Sequence, residues 1–216
     1  MKPVVDAICV GTAKPFRDGE QSAFAKEPVA GPVAIGAEGL VGDTQADRKH
    51  HGGPHMAVHL YPRAHHVYWE HELGGHDVLA LPGAFGTNLS VDGICERDVY
   101  LGDRFQLGEA VLEISQPRLP CWKIEHRFDR KGMVAKIIAT GRSGWYFRVI
   151  QQGVAESGQR LERVETGRTP WTIEQVFLSI VNPKSGASKD DLLAMADCDL
   201  LSPSWRDGAA KKASAL

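Results

Sequence analysis

Glycine, proline and aspartate recur so densely through most of this chain that no long regular element fits between them. The sequence has 216 residues with 23 glycines and 12 prolines. Up to about residue 166 these cut it into short β-branched and apolar runs. Runs of that length bounded by turn residues read as strands. Strands are expected over 4–10, 22–29, 32–35, 57–61, 99–101, 104–107, 110–115, 145–150 and 160–165. Ala30-Gly31 suits a hairpin turn, and Gly102-Asp103 with Gly108-Glu109 suits a tight meander. Only two helices fit: residues 63–73, stopped by Gly74-Gly75, and residues 131–140, stopped by Gly141. The fold class is therefore mainly β, a barrel-like or strongly curved sheet that closes its own edges. A plain open sheet is the alternative the pattern leaves.

After Gly167 the character changes. Thr169-Pro170 reads as a cap with proline at the first helical position, leading into residues 173–181. Ser188 before Asp190-Asp191 and Ser202-Pro203 before Trp205 repeat helix-start signals. Two regions follow: a β domain over 1–166 and a three-helix extension over 167–216, with a tail frayed from Asp207. Helices this short are unstable alone and must pack on one another or on the sheet.

The 25 basic and 27 acidic residues nearly cancel, which points away from nucleic acid or an anionic membrane as partner. No apolar run approaches the ~18 residues that span a bilayer, and Asp6 interrupts any secretion-signal core, so the expected location is the cytoplasm. Cys9, Cys95, Cys121 and Cys198 are scattered without a Cys-x-x-Cys pair, which argues against disulfides, a cysteine zinc site or a self-contained iron–sulfur cluster. Nucleotide-binding glycine loops and a serine nucleophile elbow are missing too.

The chemistry concentrates in Gln116-Pro117-Arg118-Leu119-Pro120-Cys121-Trp122-Lys123. Two prolines stiffen a turn that sets a cysteine between two cations, ahead of a short helix. Cations and a helix start favour thiolate, the form that ligates metals. A second loop holds Asp43, Asp47, His51, Gly52 and Gly53; its glycines allow close backbone approach, and its aspartates orient imidazoles or accept N–H groups. Asn88 offers an amide after a glycine-kinked segment. Arg148 lies on the strand face opposite Trp145 and Phe147, together with Tyr146. His51, His55 and His59 are spaced by four, but Gly52-Gly53-Pro54 breaks the helix a zinc site there requires. His65, His66, His71 and His76 read as solvated on or past an exposed helix.

Taken in order, Gly42-Asp43 with Asp47, His51-Gly52-Gly53-Pro54, Phe85-Gly86-x-Asn88-Leu89, Gly102-Asp103, Gln116-Pro117-Arg118-x-Pro120-Cys121-x-Lys123 and Gly144-Trp145-x-x-Arg148-Val149 resemble the MOSC domain family. With Leu201-Ser202-x-Ser204-Trp205 in a helical tail, the chain looks like its YiiM-type subfamily. The resemblance implies a barrel-like fold around a molybdenum cofactor of the molybdopterin type, with Cys121 as the protein ligand to the metal. It implies reduction of N-hydroxylated compounds such as hydroxylaminopurines, a detoxification. Arg118, Lys123 and Arg148 would meet the cofactor's phosphate, and Asn88 with the backbone at Gly52-Gly53 its pterin. His51 or Asp47 would supply the proton, and a separate reductase the electrons, since the chain lacks its own flavin, nicotinamide or cluster signature. Where the family often has glutamate, this chain has Thr87. A sulfur or molybdopterin carrier using Cys121 and a non-catalytic purine-binding module are the other classes open. The residues leave the natural substrate and oligomeric state open.

Overall fold

Turn-bounded β-branched runs do build the framework. The computed structural model describes residues 2–17, 19–44 and 52–216. Its early strands are β1 (Val5–Val10), β2 (Lys14–Pro15), β3 (Gln21–Ser22), β4 (Glu27–Pro28), β5 (Val33–Gly36) and β6 (Gly39–Leu40). The later ones are β7 (Val58–Pro62), β8 (Leu89–Val91), β9 (Arg104–Leu107), β10 (Ala110–Pro117), β11 (Trp145–Gln151), β12 (Gly153–Ala155) and β13 (Leu161–Glu165). Eight of them form one sheet in the order β13-β9-β10-β11-β7-β8-β1-β4. Neighbours are antiparallel except β7 and β8. A parallel pair needs a crossover, which helix α1 (Ala64–Leu73) and a 3-10 turn at Asp77–Ala80 supply.

The sheet curls until the start of β1 meets the lead-in to β13. Val5 N donates to Gln159 O at 2.9 Å, Gly158 N to Val5 O at 2.8 Å, and Leu161 N to Pro3 O at 2.8 Å. These bonds occupy backbone groups that an open edge would leave to solvent. The barrel-like alternative is the observed one. Along β11 the alternation holds as read: Trp145 and Phe147 are buried in the core while Tyr146 and Arg148 point the other way.

Three local expectations are corrected. Residues 22–29 form two short fragments, β3 and β4, because Ala23 and Phe24 leave the sheet to line a cavity. Ala30-Gly31 does not close a hairpin: β4 pairs with β1, whereas β5 pairs with β6 and β12, so the turn passes the chain between sheets. Residues 99–101 contribute one bridge, Tyr100 to Thr172, instead of a strand.

Two further helices, α2 (Lys123–Arg127) and α3 (Met133–Thr140), precede β11, and α4 (Ile173–Val181), α5 (Lys189–Ala196) and α6 (Pro203–Ser214) follow the sheet. Helix α4 spans the expected residues, but its cap lies three residues after the expected one. Thr172 and Gln175 form a capping box, while Thr169 turns its hydroxyl to Leu101 O at 2.9 Å. Ser188 caps α5 through Asp191 N at 3.0 Å. The tail is helical where fraying was expected, because Ala209 and Ala213 bury one face of α6. The helices dock on the β domain: Ser202 N donates to Ser115 O of β10 at 3.1 Å and Ile173 N to Val99 O in a loop at 3.0 Å. Phe177 and Trp205 share one apolar core with the strands. No described helix is long and apolar enough to cross a membrane.

The histidines of α1 overturn another expectation. His71 is exposed, but His65 and His66 are buried beside Trp69, and Val67 takes the solvent side. Each buried ring finds a polar partner, His65 in Glu96 and His66 in the Leu79 carbonyl. Burial lowers the His66 pKa to about 4 from its ordinary 6.5. The unfolded chain therefore takes up a proton near pH 6.5 that the folded chain refuses until about pH 4. Stability contributed by the neutral ring is complete above pH 6.5 and lost as pH falls through that window, by roughly 3 kcal/mol. Denaturant melts between pH 7.5 and pH 4 are expected to show a shallower decline for His66→Gln. Parallel declines in the two proteins would refute this linkage.

Candidate functional site

Strand β10 stops at Pro117 because proline cannot continue the ladder. The chain then turns through Arg118, Leu119 and Pro120 to Cys121, and α2 follows, its Ile124 N bonding Cys121 O at 3.1 Å. Arg118 and Lys123 are 4% and 7% exposed, and Cys121 is half-buried. All three line one cavity. Across it stand His59 from β7, Asn88 just before β8 and Tyr146 from β11, neighbouring strands in the sheet order. Ser22, Ala23, Phe24 and Lys26 form one rim, with Asp43, Thr44, Met56, Phe85 and Gly86 completing the lining.

A buried polar network braces the wall opposite Cys121. Asp43 accepts from Gly11 N at 2.7 Å and from Asn88 Nδ2 at 2.9 Å, and it pairs with the Lys26 ammonium. Asn88 also donates to Cys9 O at 3.1 Å and accepts from His59 N at 3.0 Å. Burial lowers the Lys26 pKa while the Asp43 carboxylate opposes that shift. His59 lies 3.0 Å from Gly86 O through Nδ1, and with the carbonyl as acceptor Nδ1 must be the donor. Burial, reinforced by Arg118, holds its pKa well below the ordinary imidazole value, so the ring is neutral.

Arg118 is the electrostatic centre of the cavity. Its guanidinium stands 5.6 Å from the Phe24 ring centroid, yet its buried Nη1 has no partner among the described residues. Neither does the Lys123 ammonium have an ion-pair partner there. Burial raises the Tyr146 pKa, with the Arg118 charge and its hydrogen bond to the phenol oxygen acting against it, so that hydroxyl stays protonated. Burial pushes Cys9 up to about 11, and burial with an Asp98 hydrogen bond does the same to Cys95.

Of the residues singled out in the sequence, Asp43, Asn88, Arg118, Cys121 and Lys123 converge on this cavity. Asp47 and His51 lie outside the described residues. Gly52 and Gly53 lead into the 3-10 turn Pro54–Met56, which sends Met56 to the cavity; the glycines themselves do not line it. Asn88 is corrected in what it offers: both amide hydrogens are spent on Cys9 and Asp43, so it is a strut and not a free donor. Arg148 is corrected in place. One pleat repeat beyond Tyr146, its guanidinium bonds Leu200 O and faces the buried Glu113 carboxylate at 3.6 Å, tying β11 to the helical extension. Thr87 is fully buried and lines no part of the cavity, so that departure from the family pattern removes no cavity group. Sequence reading missed Lys26 and His59 as cavity residues and placed Tyr146 on the correct face without a destination. Isolated residues on separate segments of the chain give no local signal.

Comparison with known proteins agrees with this arrangement. The MOSC domain family model matches residues 47–162, more than half of the chain. The chain is 41% identical to Protein YiiM of Escherichia coli over 157 residues, covering 73% of this chain and 70% of that protein. It is 36% identical over 156 residues to a Gibberella moniliformis protein named Reductase, covering 72% of this chain but 28% of that longer one. The crystal structure of YiiM from Geobacillus stearothermophilus superposes with a TM-score of 0.82 at 33% identity, covering 98% of this chain and 99% of that one.

Proposed function

The chain belongs to the MOSC domain family, and from that premise we propose that it is a molybdenum-cofactor-dependent reductase of N-hydroxylated compounds. The observation that carries the reading is the buried Arg118 guanidinium, which has no ion-pair partner and a free Nη1 among the described residues, in the same cavity as Cys121. A buried cation without a counter-ion is costly, and an anionic ligand reaching Arg118 and Lys123 relieves that cost. A soft thiolate donor a few residues away suits a redox metal better than any oxygen ligand in the cavity. The residues present therefore fit a phosphate-bearing, sulfur-ligated group.

In this reading Cys121 holds the metal, Arg118 grips phosphate through its planar fork and Lys123 adds a point charge. The bound cofactor supplies the two-electron reduction that, with two protons, turns an N–OH group into N–H and water. Neutral His59 cannot donate from Nε2, which carries a lone pair and has no partner among the described residues, so that nitrogen can serve only as an acceptor. Tyr146 offers an O–H from the cavity wall. His51 or Asp47 remains the assigned proton source, and a separate reductase delivers the electrons.

The test is one preparation with two measurements. Protein from a cofactor-making host is expected to carry near-stoichiometric molybdenum and to convert a hydroxylaminopurine to the aminopurine with a reduced viologen as donor. Molybdenum without turnover would favour the carrier reading. Purine binding without molybdenum would favour the binding module.

A further inference from the structure

The turn that carries Arg118 and Cys121 has few fixings of its own. Pro117 and Pro120 have no N–H. Among the described residues, Arg118 N is the one main-chain donor of residues 118–121 with a backbone acceptor, Gly144 O at 3.0 Å. The position of Arg118 thus depends on Gly144, a residue ahead of β11 with φ of +68°. Gly144 is itself held by a side chain. Its N–H donates to Glu96 Oε1 at 2.6 Å, while His65 Nε2 donates to Glu96 Oε2 at 2.7 Å.

Glu96 is 3% exposed and reaches this point from a loop distant in sequence. It is clamped on three sides: by α1 through His65, by the segment ahead of β11 through Gly144, and by α4 through Glu174 N, which donates to the Glu96 main-chain O at 3.1 Å. Hydrogen bonds to a buried carboxylate are among the stronger ones a fold can make. The carboxylate does not line the cavity.

We propose that Glu96 is a positioning residue that fixes Arg118 in the cavity by acting through Gly144. This does not depend on which ligand the cavity takes. Shortening the side chain while keeping its charge, Glu96→Asp, prevents it from meeting His65 and Gly144 together; Glu96→Gln keeps a carbonyl for the Gly144 N–H.

Nitrogen-15 NMR of the full chain tests it, with the Arg118 Nε–H peak assigned by its loss in Arg118→Lys. The Asp variant is expected to shift or broaden that peak and to speed Gly144 amide exchange roughly tenfold. The Gln variant is expected to restore both. Phe105→Leu, a core truncation outside the cavity lining, serves as control: it should lower the melting temperature and leave the Arg118 peak in place. A folded Asp variant with an unmoved Arg118 peak would overturn the proposal, as would a folded Gln variant that fails to restore it, or a Phe105→Leu peak displaced as far as the Asp variant's.

Discussion

Cys121→Ser is expected to lose the proposed molybdenum and more than about 100-fold of the proposed N-hydroxy reductase activity while keeping its fold. Serine differs by one atom, but its oxygen is hard, protonated at neutral pH and a poor partner for a soft redox metal. Little else should change. Cys121 is half-buried and its sulfur carries no hydrogen bond among the described residues. Arg118 and Lys123 remain to attract an anion. The informative outcome is therefore a split: metal content and turnover collapse together, while the melting temperature stays within about 2 °C, as for a substitution that removes no core contact. Inductively coupled plasma analysis, steady-state rates and a thermal melt measure the three. A serine protein with wild-type molybdenum and rate would remove Cys121 from the chemistry altogether.

The largest effect on stability is expected at Gly144. A Cβ built there falls 2.5 Å from Leu60 O, 3.0 Å from Tyr61 Cδ2 and 3.1 Å from His59 Nε2. Its φ of +68° also disfavours any L side chain. Strain and overpacking together should cost Gly144→Ala about 3 kcal/mol or more. For a domain of this size that lowers the melting point by roughly 6–12 °C. Gly158→Ala isolates the backbone contribution, because Gly158 has φ of +88° but nothing within 4 Å of its Cβ position. Its loss should be about 1 kcal/mol. Equal losses at the two positions would show that the crowding against β7 is not felt.

Different parts of the molecule were unequally visible in the sequence. The curled sheet followed from short β-branched runs between turn residues, and Ser188 and Ser202-Pro203 marked two helix starts correctly. The cysteine turn was visible because its components are adjacent: two prolines, two cations and a thiol within eight residues. His65 and His66 were misread because polarity suggests solvent when the partner cannot be seen. Only the fold brings Glu96 and the Leu79 carbonyl to those rings. Arg148 failed for the same reason. Its strand face was right, but Glu113 and the Leu200 carbonyl capture the guanidinium before it reaches the cavity.

Sequence alone determined what is local: where most strands break, that Ser188 and Ser202 cap α5 and α6, and that a thiol stands between cations at a rigid turn. These depend on dihedral preferences and on chemistry within a few residues. Tertiary structure alone decided which strands lie side by side, and hence that Lys26, His59 and Tyr146 face Cys121 while Arg148 does not. The sheet order β11-β7-β8-β1 joins segments far apart in the chain. Period-two alternation names a side chain's face, but only long-range pairing decides what that face meets.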